Sequence, residues 1–92
     1  MEKYDITDMY SFLPKKELGL DKVKKIFLKS ASNAMNEIDG YTVIGYDEAS
    51  DYPENVVLLS QELISEKKKV AIIKKEAAVI AIVGYREIAV DA

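Results

Sequence analysis

The chain of 92 residues has no cysteine, no histidine and no tryptophan. Without cysteine there is neither a disulfide nor a thiolate metal site. Without histidine the chain lacks the commonest general base, the commonest transition-metal ligand and the only unperturbed side chain that titrates near neutral pH. Serine–histidine and cysteine–histidine nucleophile pairs are therefore excluded. The four glycines, at 19, 40, 45 and 84, never cluster, so no glycine-rich phosphate loop exists. Arg86 is the single arginine, which leaves the bidentate forks that grip phosphate and read guanine in short supply. The longest apolar run, Ala77 to Gly84, is far shorter than a bilayer-spanning helix. The first residues carry neither the basic head nor the apolar stretch of a signal peptide. These absences predict a cytoplasmic, non-catalytic protein with no cofactor, no metal and no membrane contact.

What is present suits one folded domain over 1–92. Apolar residues make up 49%, enough for a core, and charged residues 32%. The charges nearly cancel, to −3, so no global field drives the chain onto polyanions.

Residues 1–19 show no regular period, but Tyr4, Ile6, Met9, Tyr10, Phe12 and Leu13 are apolar or aromatic. They predict an irregular arm packed on the core as a strand or wrapped segment, ended by Pro14 and Gly19. Val23, Ile26, Phe27, Ala34 and Ile38 recur at helical spacing and predict a helix over 21–38, with Asp21 as N-cap and Gly40 as its stop. Residues 41–47 read as a strand. Pro53, between Asp51 and Glu54, opens a helix over 52–68 on the face Val56, Leu59, Leu63 and Ile64. The rival reading of Val56–Leu59 is a short strand. Val70–Ile73 and Ala78–Val83 read as strands joined by a hairpin at Lys74–Glu76, the second apolar on both faces and therefore central. Gly84 reads as a bulge before a further extension to Val90. The segments Val43–Glu48 and Ile82–Glu87 echo each other as an apolar pair, Gly, Tyr, a charged residue and Glu. One recurrence marks two similar strand ends rather than a repeat array.

The expected fold is α+β, a two-layer α/β sandwich. One mixed sheet of three to five strands carries two helices mainly on one face.

Three groups of residues are candidates for function. Asp47, Glu48 and Asp51 lie in one acidic loop, but at a spacing unlike that of a calcium loop. They read as a solvated loop, leaving no metal site and no catalytic residue. Tyr41, Tyr46 and Tyr85, with Arg86, are a candidate interaction surface, because tyrosine and arginine supply large contact area with a polar tip. Lys22, Lys25 and Lys29, with Lys67, Lys68 and Lys69, are a candidate nucleic-acid surface if the fold brings both blocks to one side. The apolar final strands exceed what two helices on one face would cover. The favoured expectation is thus a small protein-interaction module: an adaptor, an inhibitor or an accessory subunit. Its partner is another protein or a second copy of itself. Nucleic-acid binding through the lysines is the alternative.

Overall fold

Alternation along two apolar strands sets the architecture. The computed structural model describes residues 3–88. Five strands form one sheet: β1 (Tyr4–Ser11), β2 (Glu37–Ile38), β3 (Tyr41–Gly45), β4 (Lys69–Lys75) and β5 (Ala78–Glu87). Their order is β1-β5-β4-β3-β2, and every neighbouring pair is antiparallel. The two helices are α1 (Leu20–Asn33) and α2 (Glu54–Ser65).

Side chains on a strand point alternately to its two faces. On β4, Ala71 and Ile73 join Val23, Ile26 and Phe27 of α1 in one core, while Val70 and Ile72 join Val56 and Leu63 of α2 in the other. Val83 and Ile82 of β5 divide in the same way. The chain is α+β, with one sheet and two helices as expected. Two details differ. The sheet is antiparallel throughout rather than mixed, and the helices lie on opposite faces rather than mainly on one. The cause is in β4 and β5 themselves: both faces of these strands are apolar, and each needs its own cover. Each helix thus makes a two-layer α/β sandwich with its own face.

Antiparallel pairing of β3 with β4 requires the connection between them to run out and back. Residues 46–53 carry the chain out, beginning with a 3-10 turn at Tyr46–Glu48, and α2 brings it back. Residues 52–68 therefore hold a single helix, not a strand followed by a helix.

The N-terminal segment is more regular than its sequence suggests. Residues 4–11 form an edge strand on β5, and only the stretch beyond Ser11 is irregular. A bulge at Thr7, where the register steps from Ile6↔Tyr85 to Asp8↔Gly84, hides the period-two pattern. Gly84 is a paired residue of a continuous β5, and the bulge lies across from it in β1. The extension towards Val90 lies outside the described residues. Leu18, fully buried, anchors the irregular stretch, and its carbonyl accepts a hydrogen bond from Ser11 Oγ at 2.8 Å.

Helix α1 ends at Asn33, with Ala34 in the left-handed conformation (φ 52°). Its N-cap is Gly19, and Asp21 lies in the first turn instead. Ile38 belongs to β2, not to the helix. Asp39 and Gly40, at φ 51° and 85°, are the two residues of a tight turn between Ile38 and its partner Tyr41. Two central residues at positive φ are the hairpin geometry that Asp-Gly favours. The echo of Val43–Glu48 in Ile82–Glu87 has no structural counterpart, since Val43 faces α1 while Ile82 faces α2.

Candidate interaction surface

The outer faces of the two helices differ in chemistry. On α1, Val23, Ile26, Phe27 and Ser30 face the sheet, and helical spacing sends Lys25 and Lys29 outward with Lys22 and Lys24 on the flanks. Helix α2 has only two charged residues, Glu54 and Glu62, in its twelve. Val56, Ser60 and Leu63 are buried against the sheet. Leu58 is 63% exposed and Ile64 43% exposed. The expected buried face included Ile64. Instead Ser60 takes an inward position, and the helical phase turns Ile64 towards solvent.

Tyr46 and Tyr52 continue this surface. Their rings stack with centroids 5.1 Å apart and planes 16° from parallel. Gln61 Nε2 donates to the Tyr46 hydroxyl at 3.4 Å, which fixes the pair along the flank of α2. Burial pushes the Tyr52 hydroxyl above its ordinary value, and the neighbouring Tyr46, Glu48 and Asp47 push in the same direction. The Tyr52 hydroxyl is enclosed without a hydrogen-bond partner among the described residues. Val57, Leu58, Gln61, Ile64 and the two rings make a strip of uncharged side chains, with the acidic Asp47 and Glu48 beside the rings. Glu54 stands at one end of it and Lys67, just beyond the helix, at the other. Glu62 falls on the opposite flank of α2 from Val57 and Ile64.

The four residues expected to form an interaction surface do not converge. Tyr41 is only 8% exposed and packs in the α1-side core, with Lys22 Nζ 5.2 Å and Lys75 Nζ 5.8 Å from its ring centroid. It is unavailable to a partner. Tyr85 lies half-buried among Phe27 and Tyr4, with ring centroids at 4.7 and 5.8 Å, and burial raises its hydroxyl above the ordinary value. Arg86 is exposed and lies across from Asp5 on β1. Tyr46 alone belongs to the α2 surface. It lines a cleft together with Ile64, Val70 and Tyr85, and with the charged Asp47, Lys68 and Lys69.

The lysines are also dispersed. Lys22, Lys25 and Lys29 are on α1, whereas Lys67 and Lys68 follow α2 on the other side of the sheet. Lys68 is largely enclosed, its side chain 13% exposed, and pairs with Asp8 and Glu66, each at 2.8 Å. These hydrogen bonds, Asp8's first, hold the Lys68 ammonium above its ordinary value, and the Asp8 carboxyl is held below its own by Lys68 and then Thr7. Lys69 is held by Glu87 at 3.0 Å, which raises it similarly, and Lys29 lies 3.9 Å from Asp39.

Asp47 and Glu48 sit in the turn after β3, where the Glu48 carboxylate accepts the Gly45 backbone N–H. Among the described residues, no three acidic side chains are grouped closely enough to hold a metal ion. No described helix is long and apolar enough to cross a membrane.

Sequence reasoning missed Leu58, Ile64 and Tyr52. A signal for them exists. Val56-Val57-Leu58-Leu59 puts four apolar residues on consecutive helical positions, more than one buried stripe can take. No protein-family model, no curated protein and no solved structure matches this chain.

Proposed function

We propose that the protein is a small, non-catalytic interaction module of the cytoplasm: an adaptor, inhibitor or accessory subunit that binds another protein or a second copy of itself. One observation carries this reading. Leu58 and Ile64 stand exposed on a helix with only two charged residues, Glu54 and Glu62, while the other helix presents lysines to solvent. An apolar strip rimmed by polar residues marks an interaction site on a small soluble domain. The lack of histidine and cysteine in the sequence supports a non-catalytic role.

Nucleic-acid binding is the second reading, and the Lys22, Lys25 and Lys29 stripe favours it. The lysines' division between two faces and the ion pairs of Lys68 and Lys69 weigh against it. Sedimentation velocity of the pure protein, alone and with a labelled mixed-sequence DNA duplex at low salt, separates the two. The interaction module predicts concentration-dependent self-association and no co-sedimentation with DNA. Co-sedimentation that is lost as salt rises would favour the lysines.

A further inference from the structure

We propose that the occupant of the α2 strip is the same strip on a second copy of the chain, the two helices running antiparallel about a two-fold axis close to Gln61. This deepens the interaction-module reading and rests on it.

The charge pattern along α2 selects a second copy. In a two-fold contact each residue meets its counterpart from the opposite end. With the axis near Gln61, Glu54 of one copy faces Lys67 of the other, and Val57 faces Ile64. Glu54 and Lys67 are both exposed and form no ion pair among the described residues. A parallel arrangement would set Glu54 against Glu54 and Lys67 against Lys67. Near the axis, Gln61 meets Gln61, and an amide can donate to and accept from its own copy. Leu58 then packs beside the axis, where a contact is driest and each side chain counts most.

The other surfaces suit self-pairing less. The outer face of α1 would bring lysine against lysine. Edge strand β1 is interrupted by its bulge at Thr7 and carries Asp5 and Asp8, features that blunt sheet edges against pairing. The opposite edge strand, β2, has only two residues. Of the remaining exposed apolar residues, Phe12 and Leu20 flank a groove where Lys15, Lys16 and Lys22 outnumber Glu17 and Asp21, a net positive rim that repels its own copy, and Met35 and Ile88 lie outside that groove.

Twelve helical residues give a contact about 18 Å long. With the flanking rings it remains at the small end of specific interfaces, which predicts a dissociation constant of roughly 10–100 μM.

Sedimentation velocity over a concentration series tests this, with far-UV circular dichroism confirming that each variant folds. Leu58→Arg and, independently, Ile64→Arg are each expected to weaken the dimer by about tenfold or more. Glu54→Lys and Lys67→Glu are each expected to weaken it severalfold, and the double variant E54K/K67E to recover it, since the swapped charges again face each other. A double variant no better than the singles would overturn the antiparallel pairing. A dimer untouched by Leu58→Arg and Ile64→Arg but lost on Leu20→Arg would also overturn it, while leaving a self-associating module in place. A wild-type chain that stays monomeric to about 1 mM, far above the expected constant, would overturn both the pairing and the self-association.

Discussion

Two buried hydroxyls mark where individual side chains work against stability. Ser60 is fully buried in the middle of α2, and neither its hydroxyl nor that of Tyr52 finds a hydrogen-bond partner among the described residues. A buried donor without a partner forfeits its hydration and gains nothing in return. Ser60→Ala also exchanges serine for the best helix former. Ser60→Ala is therefore expected to raise the unfolding free energy by about 1 kcal/mol, and Tyr52→Phe to leave it level or raise it by up to ~1 kcal/mol; urea melts measure both. Asp8 is the converse case. Its carboxylate accepts from Lys68 Nζ and from Thr7 Oγ1, each at 2.7–2.8 Å, and so ties edge strand β1 to the turn after α2. Because its folded value lies below the ordinary 3.8, the stability it adds is fully present above that value and is lost as pH falls through the lower folded one. Asp8→Asn is expected to lower the melting temperature at pH 7 by a few degrees and to differ less from wild type at pH 2, since the carboxylate's contribution fades as pH falls below 3.8 through the lower folded value. Thermal melts at the two pH values check this.

At the scale of elements, two glycines act for different reasons, Gly84 through a close approach and Gly40 through its backbone conformation. A Cβ on Gly84 would come within 3.0 Å of both Leu63 methyls and 3.3 Å of Asp8 Cβ. Gly84 thus lets α2 seat Leu63 directly on β5, beside the bulge in β1. Gly84→Ala is expected to destabilise by about 1–3 kcal/mol through overpacking, read as a lower urea midpoint at unchanged slope. Gly40 has open space around the position of a Cβ, so its constraint is its backbone alone, at φ 85°. Gly40→Ala is expected to cost roughly 1–2 kcal/mol through that conformation. The Asp39-Gly40 pair shows how a legible signal can be assigned to the wrong element. Glycine stops helices and also turns hairpins, and the apolar phase running on to Ile38 favoured the first. The chain instead closes α1 at Ala34 with the N–H of Met35 bonded to the Ser30 carbonyl, and returns Ile38 to the α1-side core from a strand. A second bulge leaves Ile80 unpaired between Ile73↔Ala81 and Lys74↔Val79, which lets both Ile80 and Ala81 join that core. No period in the sequence announces such a step.

For the whole molecule, two helices on opposite faces leave two outer surfaces of different character. The outer face of α1 presents lysines to solvent, and the outer face of α2 carries the proposed contact. Since that contact is mainly apolar with one ion pair at each end, adding salt is expected to weaken self-association only modestly. Nucleic-acid binding, by contrast, would fall steeply with salt. Sedimentation at about 50 and 500 mM salt distinguishes the slopes.

Much of this architecture was written in local pattern. The period of α1 from Val23 to Ser30, the helix start at Pro53-Glu54, and the doubly apolar β4 and β5 each dictate an element through the spacing of their own side chains. The absence of histidine, cysteine and clustered glycine bounds the chemistry in the same direct way. Strand direction, the placement of α2 opposite α1, and the bulge that disguises β1 were decided only by tertiary structure. They depend on which face each core chooses and on partners far apart in the chain, such as Tyr4 with Glu87. The candidate site followed the same division. Sequence could say that α2 carries more apolar residues than one stripe can bury, but only the packing of Val56, Ser60 and Leu63 against the sheet decided that Leu58 and Ile64 would be the ones left in water.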